Sequence, residues 1–172
     1  EVSKRFGLAW SRGKTKWGVL PMPSSVEKKR VHGIFDGFPD KFGLVDEHYW
    51  GLGGKTNELS VLATSQAGTE KTSLGPPNPG QLDGKKWPLF WTKEIGRGRV
   101  FGSIPGHNLF TFNDPYYRII LFRGMAWAMR EPFEPFKPLV THQAFLHSAV
   151  SNKAPLDAES HHGDWPTYNQ SP

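Results

Sequence analysis

The fold of this 172-residue chain is decided by residues 87–129, which read WPLFWTKEIGRGRVFGSIPGHNLFTFNDPYYRIILFRGMAWAM. Large apolar side chains stand at alternate positions of residues 87–91, the pattern of a strand with one buried face. Gly96 and Gly98 then predict a turn, because glycine tolerates the positive φ that turns require. Residues 99–104 predict a second strand that follows this turn.

A helix is predicted to follow these strands, over residues 116–129. Asp114 is suited to cap its first turn, and Pro115 suits the first helical position because the N–H that proline lacks has no helical partner there. The segment is apolar on most faces, so we expect it to be largely buried. Arg123 and Arg130 fall within about 20° of each other on a helical wheel. This spacing predicts that the two arginines form a narrow solvent-facing stripe.

The predicted architecture is α/β, with a small sheet and one long buried helix. We expect strands at residues 59–63, 87–93 and 99–104, in a mainly parallel or mixed sheet. The helix should pack on this sheet and bury Phe101, Ile120 and Trp127. The remaining N-terminal and C-terminal segments are expected to be extended.

Four segments, taken in order, resemble one protein family. They are VHGIFDGFP (31–39), VDEHYW (45–50), ELSVLATS (58–65) and GRGRVFGSIPGH (96–107). Together they resemble the trehalose-utilisation (ThuA-like) domain family over about residues 30–130, and only the C-terminal half of that domain. The resemblance implies a partial flavodoxin-like module of the class I glutamine amidotransferase-like superfamily.

The resemblance also implies candidate catalytic residues. In this family the histidine that matches His107 lies near the active cleft, so acid–base or metal chemistry is one interpretation. A hydrogen-bonded structural histidine at a strand end is the alternative. Asp46 or Glu47 would supply a carboxylate to the same cleft, and Glu47 is favoured because Tyr49 shares its face. His32 is a candidate partner of His107.

No metal or cofactor is predicted. A metal site would need a third ligand beside His32 and His107, and no residue offers it at a firm spacing. The glycine-rich run at residues 51–54 opens no helix, so it does not predict a phosphate cradle. The absence of cysteine excludes disulfides, thiolate ligands and the cysteine nucleophile of amidotransferase chemistry.

The sequence divides into three regions: a basic aromatic arm (1–29), the ThuA-like module (30–130) and a proline-rich extended tail (131–172). Residues 1–30 hold eight Lys or Arg against two Glu, so the net charge of +5 belongs to the arm. This location argues against nucleic-acid binding. The arm is predicted to dock on an acidic protein or an anionic membrane surface, with a solvated arm as the alternative. No apolar run is long enough for a transmembrane segment.

Aromatic side chains at both ends of the chain predict contacts with protein subunits of a larger assembly. Such residues dominate interface energies, and the candidates are Trp10, Trp17, Phe133, Phe136 and Trp165. Because the chain starts without methionine and contains no cysteine, we expect an exported or periplasmic protein.

Two functions follow from these observations. The favoured one is a non-catalytic ThuA-like accessory or structural subunit that binds partner proteins. It is favoured because no segment before residue 30 resembles the N-terminal half of the family, and because Gly33 and His48 replace the proline and leucine usual there. The alternative is a carbohydrate-processing enzyme of the trehalose-utilisation type whose N-terminal half is missing from this chain.

Overall fold

The structure, a computed structural model, describes residues 1–17, 22–66 and 85–140. Within these ranges the chain forms, in order, α1 (Val2–Phe6), β1 (Leu8–Ala9), β2 (Lys16–Trp17), β3 (Met22–Lys28), β4 (Lys41–Asp46), β5 (Tyr49–Trp50), β6 (Gly53–Gly54), β7 (Ser60–Gln66), β8 (Lys86–Ile95), β9 (Gly98–Ser103) and α2 (Pro115–Met129). The strand, turn, strand and helix predicted for residues 87–129 are therefore present.

The main sheet has five strands in the order β4-β3-β7-β8-β9, and every neighbouring pair is antiparallel. The expectation of a mainly parallel or mixed sheet is thus wrong for the described strands. β8 and β9 pair Ile95 with Gly98, which leaves Gly96 and Arg97 as the turn between them. Parallel strands need a crossover connection of a dozen or more residues, so a turn this short can join only antiparallel strands.

The N-terminal segment pairs with the rest of the chain. β3 lies between β4 and β7 in the main sheet, β1 pairs with β6, and β2 pairs with β5. Leu8 is buried. The described residues 1–17 and 22–28 therefore differ from the extended arm that is expected to dock on another surface. The reason is that strand pairing satisfies backbone N–H and C=O groups that a detached arm would leave to water.

The alternation of β4 positions the candidate site. Phe42, Leu44 and Asp46 are buried, whereas Lys41 and Gly43 are exposed and Val45 is half-buried. Successive side chains of a strand point to opposite faces, so the three buried residues share one face. Phe42 and Leu44 belong to the main hydrophobic core. At the end of the strand, Asp46 brings a carboxylate to that buried face.

Helix α2 begins and ends as its sequence predicts. Asp114 accepts a hydrogen bond from the N–H of Tyr117 at 2.9 Å, and Pro115 is the first helical residue. The helix ends at Met129, and Arg130 takes a left-handed conformation with φ of 63°. In the described part of the chain, no helix has the length and apolar character needed to cross a membrane.

Helix α2 packs on β9 through a glycine. A Cβ placed on Gly124 would collide with the Phe101 ring, so the ring and the helix backbone are in direct contact. Ile120 is completely buried, as predicted. Phe101 and Trp127 are only partly buried and pack at the edge of the same core, which differs from the full burial expected for them.

Arg123 is buried in the core, contrary to the expectation that it faces solvent with Arg130. Its relative exposure is 0%, whereas Arg130 is exposed. The Arg123 guanidinium donates hydrogen bonds of 2.6–3.4 Å to four backbone carbonyl oxygens, those of Gly33, Ile34, Asp36 and Phe136. Burial is tolerated because these carbonyls replace the water that the cation loses.

The first residues of the predicted tail pack against the module. The Phe133 ring covers Gly33 so closely that a Cβ on the glycine would collide with it. Glu134–Phe136 forms a 3-10 turn and Val140 is completely buried. This differs from the extended structure expected for the described part of the tail. The predicted contact residue Trp165 lies outside the described residues.

Candidate functional site

The carboxylate of Asp46 organises the loop that carries His107. It accepts hydrogen bonds from the backbone N–H groups of Gly106, His107 and Asn108, the last two at 3.1 and 3.2 Å. The Asn108 side chain donates to it at 2.8 Å, and the Glu47 N–H donates at 2.7 Å. Successive N–H groups that converge on one anion fix the local backbone. Asp46 therefore holds the loop on both sides of His107.

A glycine lets this loop turn beneath the site. Gly106 has φ of 127°, a conformation that side-chain-bearing residues rarely adopt. A Cβ at Gly106 would also lie 2.7 Å from the Tyr117 hydroxyl. That hydroxyl donates to the carbonyl of Pro105 at 2.8 Å, which ties the loop to α2. The position of His107 is thus set from β4 on one side and from α2 on the other.

His107, Glu47 and Tyr49 form a compact cluster at the surface. Nδ1 of His107 lies 3.1 Å from Oε2 of Glu47 and 3.1 Å from the hydroxyl oxygen of Tyr49. The Tyr49 hydroxyl donates to the same Glu47 oxygen at 2.6 Å. The His107 side chain is 52% exposed, whereas that of Glu47 is only 11% exposed. The histidine therefore meets solvent while its carboxylate partner is largely covered.

The oxygen atoms around His107 favour one tautomer of its ring. Burial, the hydrogen bond to Glu47 and the charges of Glu47 and Asp46 raise the pKa of Tyr49, so its hydroxyl stays protonated and donates to Glu47. Nδ1 of His107 then faces two oxygen acceptors, which favours a proton on Nδ1. In the neutral ring Nε2 is left as the basic nitrogen. This arrangement suits a general base oriented by a carboxylate.

The structure gives the two adjacent carboxylates of β4 and its following loop different surroundings. Glu47 contacts the His107 ring together with Tyr49, as the sequence alternation indicated. Asp46 binds the backbone beneath that ring and does not face solvent. Tyr49 was not among the predicted site residues. Its position two residues after Glu47 in an extended segment is the signal that could have identified it.

His32 lies in a different environment from His107. Its Nδ1 accepts a hydrogen bond from the N–H of Ile34 at 3.2 Å, and its ring packs edge-on against Trp127 at 5.8 Å. Burial and the charges of Arg30 and Arg99 lower its pKa. The structure shows no contact between His32 and His107. A separate cavity of about 290 Å³ beside His32 is lined mainly by residues 28–32 and 35–37.

The remaining predicted residues are placed as follows. Trp10 is 56% exposed, Trp17 is half-buried, and Phe136 stacks on Phe122 at 5.9 Å. Phe133 covers Gly33 as described above. Among the described residues, no group of three or more His, Asp or Glu side chains is arranged to hold a metal ion.

The burial of His48, between Glu47 and Tyr49 in the sequence, predicts that the protein loses stability in acid. His48 is 2% exposed and packs edge-on against Trp50, and burial lowers its pKa from 6.5 to about 4. Below pH 6.5 the His48 ring binds a proton in the unfolded chain but not in the folded chain. The free energy of unfolding therefore falls between pH 6.5 and about pH 4. For this residue the expected loss is about 3 kcal/mol.

Chemical denaturation across this pH range checks the prediction. The variant His48→Gln carries no titrating group at this position, so its unfolding free energy should depend less steeply on pH than that of the unmodified protein. His32, whose pKa is also lowered, contributes equally to both proteins and cancels in the comparison. Identical slopes for the two proteins would contradict the assignment to His48.

Comparison with known proteins identifies the family. The model of the ThuA family, described as trehalose utilisation, matches residues 6–128, and the chain therefore belongs to the ThuA family. The match begins before residue 30, so it includes the strands β1 to β3 that the sequence resemblance left out.

A solved structure shares the fold. The chain is similar to the crystal structure of a ThuA-like protein from Parabacteroides merdae, with 24% identity and a TM-score of 0.50. The similarity covers 70% of this chain and 46% of that one, so the chain spans less than half of the solved protein. No curated protein matches the chain significantly. The predicted α/β class and ThuA-like module are thereby confirmed.

Proposed function

We propose that this chain carries the acid–base part of a carbohydrate-processing site of the trehalose-utilisation type. The observation that carries the proposal is the position of His107, whose Nδ1 lies 3.1 Å from both Glu47 and Tyr49. His107 acts as the general base, Glu47 orients its ring, and Tyr49 holds the Glu47 carboxylate in place. The name of the family supplies the substrate class.

The chemistry follows from the tautomer. Nε2 of His107 takes a proton from the carbon beside the carbonyl group of a keto-sugar. The electron pair of that C–H bond forms a C=C bond, and the C–O bond to the leaving group on the next carbon breaks. The resulting imidazolium keeps its Nδ1 proton directed at Glu47, whose negative charge stabilises the positive ring. The same ring then returns the proton to the oxygen of the leaving group. A positioned acid–base residue of this kind contributes about 10²–10⁴-fold to a rate.

A non-catalytic accessory subunit that binds partner proteins is the second candidate. It is favoured by the exposed rings of Phe6 and Trp10, since large exposed aromatic residues are typical of interfaces. The basic N-terminal segment would add an attraction to an acidic partner or to an anionic membrane surface. The pairing of β1 and β2 with the module weakens this candidate, because the segment then needs no partner to order it.

Turnover of trehalose, other disaccharides and keto-sugars by the purified chain tests the first candidate. We expect His107→Ala to lower kcat/KM by about 10²–10⁴-fold, and Glu47→Gln to lower it as well. Glu94→Gln is the matched control, because Glu94 is an exposed carboxylate that pairs with Arg99 at 3.1 Å at the far end of β8. Turnover that is unaffected by His107→Ala would contradict the proposal.

A further inference from the structure

Beside the His107 cluster, a row of aromatic rings runs from Tyr49 to Trp10 and Trp17, two tryptophans that the proposed chemistry does not use. The Tyr49 ring is 6.1 Å from the His107 ring, the Trp10 ring is 6.2 Å from Tyr49, and the Trp17 ring is 5.8 Å from Trp10. Trp10 thus stands two ring spacings from His107. Although it is one of the largest side chains in the chain, Trp10 leaves 56% of its surface exposed.

The exposed ring of Trp10 is held on a fixed backbone. The preceding residue, Ala9, pairs with Gly53 in β1 and β6. After Trp10, the Ser11 N–H donates to the Thr15 hydroxyl at 2.8 Å, and the Thr15 N–H donates back to the Ser11 carbonyl at 2.9 Å. A ligand that stacks on a side chain mounted in this way loses less free energy to ordering the protein.

Trp17 is tied to the site by strand pairing. It is the direct partner of Tyr49 in the antiparallel pair of β2 and β5. Directly paired residues on antiparallel strands place their side chains on the same face. The ring of Trp17 therefore lies on the side of the strand pair that carries Tyr49, 5.8 Å from the Trp10 ring.

We propose that Trp10, supported by Trp17, is a stacking platform for a sugar ring whose neighbouring ring reaches His107. This inference rests on the proposed function and names Trp10 as a positioning residue of that site. The C–H face of a pyranose ring is apolar and matches an exposed indole, while its hydroxyl groups suit the Glu47 and His107 side chains. Apolar walls with a few placed polar groups are the usual composition of small-molecule sites. The spacing favours a disaccharide over a single sugar.

Calorimetric binding of trehalose and of a keto-disaccharide to the purified chain tests this platform. Trp10→Ala should weaken binding by about tenfold, while Trp10→Phe should keep most of it, because the phenyl ring still offers a flat apolar face. Phe6→Ala is the matched control. Phe6 is another exposed N-terminal aromatic residue, at 53% exposure, and its removal should change binding by less than about twofold. In turnover, Trp10→Ala should raise KM with little change in kcat.

The outcomes separate this inference from the proposed function. Equal affinities for Trp10→Ala and Phe6→Ala would overturn the platform, even where His107→Ala abolishes turnover. Weaker sugar binding by Trp10→Ala, together with turnover that is unchanged in His107→Ala, would support the platform and contradict the acid–base proposal. If the unmodified chain binds no sugar, and Trp10→Ala instead loses binding to a partner protein, the platform is wrong and Trp10 serves protein docking.

Discussion

Replacing Arg123 by methionine is expected to lower the free energy of unfolding by about 3 kcal/mol. Methionine fills much of the same space, but it leaves four backbone carbonyl oxygens, including the buried one of Ile34, without the donor that serves them. Part of that cost is offset, because the variant no longer buries a charge. Burial lowers the pKa of Arg123, and its Nε has no hydrogen-bond partner among the described residues, which shows that desolvation is incompletely compensated.

The matched control for Arg123 is Arg130, which directly follows the same helix. Arg130→Met removes an exposed arginine that donates to a single backbone carbonyl, that of Arg97, at 3.1 Å, so it should change stability by about 0.5 kcal/mol or less. Arg123→Lys should fall between the two, because an ammonium group cannot reach carbonyls on two separate segments as a planar fork does. Urea midpoints at constant m-value measure all three. Equal losses for Arg123→Met and Arg130→Met would contradict the buried role.

Asp46→Ala is the second change expected to have a large effect, about 3–4 kcal/mol of unfolding free energy. The carboxylate accepts hydrogen bonds from four backbone N–H groups and from the Asn108 side chain. Charge-assisted bonds of this kind are stronger than neutral ones, and buried donors left unpaired cost about 1–3 kcal/mol each. Asp46→Asn should also destabilise, because its NH₂ group would face other donors.

Asp40→Asn is the control for Asp46. Its carboxylate pairs with Lys28 at 3.2 Å, but the side chain is 97% exposed, and exposed ion pairs contribute little to stability. Thermal unfolding should therefore be nearly unchanged by Asp40→Asn and clearly lowered by Asp46→Asn. The Asp46 variants should also lose turnover, because the loop that carries His107 is no longer held. Coincident melting curves for the two asparagine variants would refute the role given to Asp46.

Local signals in the sequence predicted the elements better than their arrangement. The helix start at Asp114 and Pro115 depends only on neighbouring residues, so it could be predicted. Strand direction depends on which segments meet, and here β3 enters the sheet between β4 and β7. The short turn at Gly96 and Arg97 would have been sufficient to predict that β8 and β9 are antiparallel, but the sequence was interpreted as a mainly parallel or mixed sheet.

The burial of Arg123 could not be read from its helix. A helical wheel places it near Arg130, and both look like members of a solvent-facing stripe. The difference arises from segments distant in sequence, because the 33–36 turn and the 133–136 turn bring their carbonyls over Arg123 alone. The pairing of β1 and β2 with the module also depends on segments distant in sequence. The charge of the N-terminal segment gave no sign of it.

The candidate site was predicted in part. Asp46, Glu47 and His107 came from the family resemblance, and the alternation along the strand indicated that Glu47 and Tyr49 share a face. The sequence did not show that Asp46 binds the loop backbone, because that role depends on a contact between positions sixty residues apart. Nor did it show that Trp10 lies beside Tyr49, because that contact depends on the pairing of β1 with β6 and of β2 with β5.

Nitrogen-detected NMR of the histidine rings, during titration with a keto-disaccharide, tests the acid–base role of His107 most directly. The chain contains seven histidines, which serve as internal controls for one another. The acid–base role predicts that neutral His107 carries its proton on Nδ1, and that added sugar shifts its Nε2 resonance while that of His32 stays in place. A proton on Nε2 of His107, or a resonance that does not move at saturating sugar, would contradict it.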